Sequence, residues 1–218
     1  MMEHKINSYI DTLIDRYPKL IVCRSSLQEA YEALRDAYSE GRKLLVCGNG
    51  GSASDSEHIV GELMKEFKLK REVFRDQAEA MKQIDPELGA VLAYHLQGAL
   101  PAISLTGHSS LTTAFMNDSQ PELVFAQQVN GYGKKGDVFL GISTSGNSRN
   151  ILYAAVAAKA KGLKVVGLTG GKPCRLAELA DICIQVPETE TYKIQELHLP
   201  VYHCLCLMLE EYFFGNKP

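Results

Sequence analysis

The chain has 218 residues, 45% of them hydrophobic and 22% charged, a length and balance that allow a full buried core. Its 23 Lys and Arg against 26 Asp and Glu leave a formal charge of -3, which excludes a broad basic field for nucleic acid and leaves any phosphate to be held locally by backbone and a few side chains. The start lacks the apolar stretch of a signal peptide, and no later segment approaches the roughly 18–20 apolar residues of a membrane span, so a cytoplasmic protein with no membrane partner is expected.

Residues 3–17 and 26–40 carry apolar side chains at helical spacing, which predicts two amphipathic helices within the first forty residues, ahead of any strand. Short apolar or β-branched runs then recur at 43–47, 102–105, 138–142, 164–168 and 182–186, each followed by a turn signal and a helical pattern. This alternation predicts an α/β chain with a parallel sheet covered by helices on both faces. Between the first two runs, residues 68–100 read as a helical insertion, broken at Asp85-Pro86, with Asp85 as N-cap and Pro86 opening a second helix. The last helix, about 193–214, contains LPVYHCLCLMLEEYFF and is apolar nearly all round, which predicts burial by the sheet on one side and by another subunit on the other. Pro200 inside it cannot donate to the Glu196 carbonyl, and a kink is expected there. The six cysteines (Cys23, Cys47, Cys174, Cys183, Cys204 and Cys206) form no C-x-x-C pair and read as buried thiols. No repeat or linker divides the chain, so residues 1–218 read as one domain.

Two loops carry the chemistry. The first, CGNGGSASDSEH, formally contains the dinucleotide pattern Gly48-x-Gly50-x-x-Ala53, but no second strand ending in an acidic residue follows, and no Gly-Lys-Ser or Gly-Lys-Thr makes it a nucleotide P-loop. The second, GISTSGNSRN, places Ser143, Thr144, Ser145 and Ser148 at one strand-to-helix turn, where an N-cap needs a single hydroxyl. Hydroxyls beside free N–H groups at a helix N-terminus make a phosphate cradle without a lysine. Both loops leave the carboxyl ends of parallel strands, the edge where open α/β sheets bind ligands, and should share one site. His58 and Glu62, four apart on the helix behind the first loop, lie about 6 Å apart along the axis on one face. Such a pair is a surface ion pair in many helices, but its place behind a phosphate loop favours proton transfer or metal binding. Gln195 and His203 on the last helix lie about 12 Å apart along its axis, so spacing alone does not pair them. His4, His95, His108 and His198 have no constellation around them.

Taken in order, these two loops and the helix KIQELHLPVYH resemble the sugar isomerase (SIS) domain family over roughly residues 41–209 apart from the insertion, and within it the phosphoheptose isomerases. The resemblance implies a five-stranded parallel sheet in a three-layer sandwich, a homotetramer, and active sites formed where subunits meet. It implies an aldose-ketose isomerase that converts sedoheptulose 7-phosphate to D-glycero-D-manno-heptose 7-phosphate through an enediol. It assigns Asn49, Gly50, Gly51, Ser52, Glu62, Asn117, Asp118, Ser143, Thr144, Ser145, Ser148 and Gln195 to the sugar phosphate. Glu62 and His203 would be the acid/base pair, and His58, Glu62, Gln195 and His203 would hold one zinc ion per subunit. The insertion and the segment PETETYK before Gln195 depart from the family pattern and leave other sugar phosphates open as substrates. The other reading is a non-catalytic SIS protein that binds sugar phosphate or bridges partners in replication initiation. Such relatives tend to lose the acid/base residues, and this chain keeps both.

Overall fold

The structure, a computed structural model, describes residues 2–215, with side chains from His4 onward. Five parallel strands form the sheet: β1 (Leu44–Cys47), β2 (Ala102–Ser104), β3 (Val138–Ser143), β4 (Lys164–Gly170) and β5 (Ile182–Val186), in the order β2-β1-β3-β4-β5. Leu44 pairs with both Ala102 and Val138, and Val138 with Lys164, so the strands start nearly level. Because successive side chains point to opposite faces, each apolar strand feeds two cores at once. Leu44, Val46, Leu140, Ile142, Val166 and Leu168 face one way, while Leu45, Cys47, Phe139 and Val165 face the other. Burying each of these larger side chains contributes about 1.5–3 kcal/mol.

Helices α1 (Met2–Arg16), α2 (Arg24–Ser39) and α3 (Gly51–Met64) cover the first face. After α3 come α4 (Arg75–Ile84), α5 (Pro86–His95) and α6 (Ser109–Asp118). Helices α7 (Val124–Tyr132), α8 (Arg149–Ala160) and α9 (Arg175–Leu179) cover the second face, and α10 (Thr191–Phe214) returns to the first. The result is the expected three-layer α/β arrangement. The six cysteines are free thiols, five of them buried. Among the described residues no helix is long and apolar enough to cross a membrane.

Three local expectations need correction. The second helix begins at Arg24, not Ser26, because a 3-10 segment over Pro18–Cys23 runs directly into it. Strand β3 extends to Ser143, which makes the first hydroxyl of the second loop a buried strand residue. Helix α10 continues through Pro200, and its apolar circumference is covered by α1, α2 and α3 of the same chain as well as by β4 and β5. The N-terminal helices therefore occupy the side that the sequence reading assigned to another subunit.

The insertion folds as a pair of helices, α4 and α5, that pack on each other. Asp85 caps α5 by accepting from the N–H groups of Glu87 and Leu88, at 3.0 and 2.8 Å, and Pro86 stands at its first position. At its base, Gly98 N–H donates to the Arg71 carbonyl at 3.1 Å and Gln97 Oε1 accepts from Glu66 N–H at 2.9 Å.

Candidate active site

The order of the strands makes β1 and β3 neighbours although β2 lies between them in sequence, so the chain reverses direction across the sheet at this point. Loops leaving the carboxyl ends of such neighbours diverge and open a crevice. The first loop turns sharply: a Cβ on Gly48 would lie 2.3 Å from the Ser52 carbonyl oxygen, and Gly50 has φ +55 with ψ -121, a conformation that suits glycine. Helix α3 then starts at Gly51 with no side-chain cap. Helix α8 likewise starts behind Ser148 without a side-chain cap, because the Ser148 hydroxyl pairs with Ser143 at 3.0 Å instead. Two helix N-termini thus open at one edge, each able to offer backbone N–H groups to an anion.

The two loops are stitched together. Asn49 donates to Asn150 at 2.9 Å and Asn150 donates back at 2.8 Å. Gln195 of α10 also belongs here, since a Cβ on Gly51 would lie 2.5 Å from its Nε2. Ser145 is exposed, and Thr144 and Ser148 are half-buried. The side chain of Ser52, by contrast, is buried beneath the turn. Asn117 donates to Asp118 at 2.8 Å at the end of α6, where both are exposed, and among the described residues no hydrogen bond joins them to either loop.

Further along α3 a second group forms. His58 Nε2 lies 3.0 Å from Glu62 Oε1, and His58 Nδ1 lies 3.0 Å from the Tyr202 hydroxyl. Tyr202 in turn donates to Asp55 at 3.2 Å, and Lys65 Nζ approaches the other Glu62 oxygen at 3.3 Å. The His203 ring stands edge-on to His58, with centroids 5.0 Å apart. Its Nε2 is buried with no hydrogen-bond partner. Burial lowers the His203 pKa below the ordinary histidine value, the nearby His58 adds to this, and Glu62 opposes it. Burial also raises the Asp55 pKa, against the Tyr202 hydrogen bond and the His58 charge. A cavity of about 170 Å³ between α1 and α10 reaches His203 and is also lined by Tyr9, Arg16, Tyr17 and Leu199. The larger cavity, about 460 Å³, opens at the amino edge of the sheet beside α2 and contains none of the candidate residues.

Gly51 meets Gln195, and His58 meets Tyr202 and His203, so α3 and α10 run side by side in the same direction. Gln195 consequently sits with the anion loops while His203 sits about two turns further on, about 12 Å along the axis. Within one chain the four candidate metal donors do not meet at a point. Among the described residues, no three His, Cys, Asp or Glu side chains are arranged to hold a metal ion. The hydrogen-bond chain through Tyr202 sets the roles of the two His58 ring nitrogens. Since the single Tyr202 proton goes to Asp55, His58 Nδ1 must donate to Tyr202, which leaves Nε2 facing a carboxylate oxygen at 3.0 Å. Two acceptors at that distance need either a proton or a metal ion between them. His58, Glu62 and His203 are nitrogen and oxygen donors of the kinds zinc takes, but within one chain they are not drawn together around a point, and Tyr202 is the kind of outer partner that orients an imidazole.

Tyr202, Asp55 and Asn150 were not singled out from the sequence. Asp55 and His58 stand at the helical spacing of three that puts both on one face of α3, a signal available beforehand. Their joint partner on α10 was not.

The crossed sheet with two uncapped helix starts defines a class. A model of the SIS domain matches residues 80–170, which include β2, β3 and the hydroxyl-rich loop. The chain is 36% identical over 210 residues to a phosphoheptose isomerase of Rhodospirillum rubrum, covering 96% of this chain and 98% of that one. It is 37% identical over 220 residues to a phosphoheptose isomerase of Aneurinibacillus thermoaerophilus, covering 99% and 98%. A solved phosphoheptose isomerase from Francisella tularensis matches 97% of this chain and 99% of its own at a TM-score of 0.71 and 30% identity. The chain belongs to the phosphoheptose isomerase family, a group of sugar-phosphate isomerases within the SIS class.

Proposed function

We propose that the chain interconverts sedoheptulose 7-phosphate and D-glycero-D-manno-heptose 7-phosphate, as one SIS domain, with Glu62 and His203 moving the protons. The observation that supports this best is the layout of α3. Its N-terminus, with the α8 N-terminus beside it, is open to a phosphate, and the His58–Glu62 pair lies seven to eleven residues further on, about 10–16 Å along the axis. An extended seven-carbon phosphate is long enough to bridge much of that interval. Asn49, Gly50, Gly51, Ser143, Thr144, Ser145 and Ser148 hold the phosphate end, Ser52 contributes through its backbone, and Asn117 and Asp118 close on the sugar from α6.

In the ketose-to-aldose direction, the Glu62 carboxylate removes a proton from C1 and returns it to C2, with an enediol between the two steps. The oxygens need the reverse service: O2 gains a proton while O1 loses one. His203, whose pKa burial lowers, has in its neutral form one ring nitrogen that donates and one that accepts, which suits it to that transfer. His58 orients the carboxylate, and Tyr202 with Asp55 orients His58. His58 and Glu62 are donors of the kinds zinc takes and would hold it together with groups from outside this chain, its contribution when bound being to polarise the substrate carbonyl; His203 is then left free to relay protons. Gln195 would complete such a site only from a neighbouring protomer, in keeping with a homotetramer whose active sites form between subunits.

The test is direct. Purified chain is incubated with sedoheptulose 7-phosphate, with and without added zinc, and the aldose is followed by NMR. Product formation supports the proposal. Thermal stabilisation by the sugar phosphate without any product would instead favour a non-catalytic binding protein.

A further inference from the structure

Arg71 is the only Lys or Arg among the described residues that is buried, at 2% exposure, and it lies just beyond α3. Helix α3 ends without a glycine: Lys65 leaves in extended conformation, with φ -136 and ψ 174. The last carbonyls of a helix need partners from elsewhere when no such cap exists. The Arg71 guanidinium supplies them, donating from Nη2 to the Glu62 carbonyl at 2.9 Å and from Nη1 to the Leu63 carbonyl at 2.8 Å. Its Nε donates to Glu210 Oε1 at 2.8 Å, and the Phe214 ring stacks over it at 4.8 Å. Glu210 also accepts from three successive backbone N–H groups, those of Phe67, Lys68 and Leu69, at 2.9, 2.9 and 3.1 Å. One buried pair therefore joins the end of α3, the connection that follows and the helix that carries His203.

A buried ion pair is weak evidence for stability, because replacing it with apolar side chains is often neutral. What this pair fixes is a geometry. We infer that Arg71 is a positioning residue for proton transfer: it clamps the backbone of Glu62 and, through Glu210, holds α3 and α10 in the register that sets the Glu62 carboxylate against His58 and the His58 ring against His203. The inference rests on the assignment of Glu62 as the base. Glu62 is eleven residues from Gly51, about 16 Å along α3, so a slackened C-terminus leaves the anion loops in place. A lysine cannot replace the fork, since one ammonium does not reach two carbonyls and a carboxylate in fixed directions.

The experiment compares wild type with Arg71→Lys and Glu210→Gln as full chains, using sedoheptulose 7-phosphate with and without deuterium at C1. Displacing the base by about an ångström lowers kcat about 100-fold, while KM stays within a few-fold. The primary isotope effect on kcat rises above the wild-type value, because carbon-proton transfer becomes the slow step. A merely structural role would lower the folded fraction and kcat together, leave the isotope effect unchanged, and overturn the inference. So would a wild-type rate in both variants. Glu210→Gln removes the charge and one of the two acceptor oxygens while leaving Arg71 on the α3 carbonyls, and it supplies the same readout if Arg71→Lys does not fold; if neither accumulates folded, the pair is structural and the inference fails. Glu62→Gln run alongside separates the two claims. If it is inactive while Arg71→Lys behaves as wild type, only the positioning role is lost; if it turns over normally, the assignment of the base is lost as well.

Discussion

His198 lies on α10, fully buried, with neither ring nitrogen in hydrogen-bonding geometry with a protein partner. Burial lowers its pKa from 6.5 to about 4, and the Thr169 backbone offsets part of the effect. For a base with a depressed folded-state pKa, the unfolded chain takes up the proton first, so stability falls as pH drops from the unfolded pKa toward the folded one. That window runs from about pH 6.5 down to about pH 4. The full gap corresponds to about 3 kcal/mol, of which about 2 kcal/mol is already lost at pH 5 relative to pH 7.5. For a chain of this size about 2 kcal/mol is about 4–8 °C in Tm. The perturbation is His198→Leu, which removes the titrating ring and keeps the site apolar. Thermal unfolding is measured from pH 7.5 to pH 4.5 at one protein concentration, and the difference between wild type and variant is plotted against pH. Other titrating groups move both curves and cancel. The expected result is a gap that shifts by about 2 kcal/mol in favour of the variant between pH 7.5 and pH 5. Parallel curves would mean that His198 is not held neutral by burial, and the reasoning would fail.

Glu62→Gln should abolish turnover and leave sugar-phosphate binding intact, read as the thermal shift that saturating ligand produces; unchanged turnover would remove Glu62 from proton transfer. Gly50→Ala meets no neighbouring atoms but forces an L-residue into φ +55, ψ -121, at a cost of about 1–3 kcal/mol, so ligand affinity should drop while the core stays folded. Affinity equal to wild type in a titration would show that the turn does not shape the anion pocket. Asn49→Ala and Asn150→Ala should each weaken sugar-phosphate binding, and the double variant should lose less than the sum, because either single change already breaks the paired hydrogen bonds. Strict additivity would mean that the two loops act independently.

The central strands were legible because a parallel sheet buried on both faces needs continuous apolar runs, and 138–142 is such a run, whereas 182–186 at the edge alternates buried and half-buried residues. The start of α5 was legible for a local reason, Asp85 before Pro86. Boundaries set by tertiary pairing were less so: β4 continues to Gly170 because Thr169 and Gly170 find partners in Gln185 and Val186 of β5. The two loops and the His58–Glu62 pair could be found because their parts are close in sequence. The link from His58 to Tyr202 spans 144 residues, and that from Arg71 to Glu210 spans 139, distances over which no periodicity carries information. Only the packing of α3 along α10 reveals them, and the same packing separates Gln195 from His203.

Helices α3, α8 and α10 all begin at the carboxyl edge of the sheet, brought together by the Asn49–Asn150 and Gly51–Gln195 contacts. Each amino end carries about half an elementary positive charge from its aligned peptide dipoles. A chain that is anionic overall therefore has a cationic rim, made of backbone rather than lysine. With no oxyanion present the three ends repel one another, and an oxyanion seated among them relieves that repulsion. Simple inorganic ions such as sulfate should accordingly act on this protein in two ways at once, as competitors of the sugar phosphate and as stabilisers of the fold.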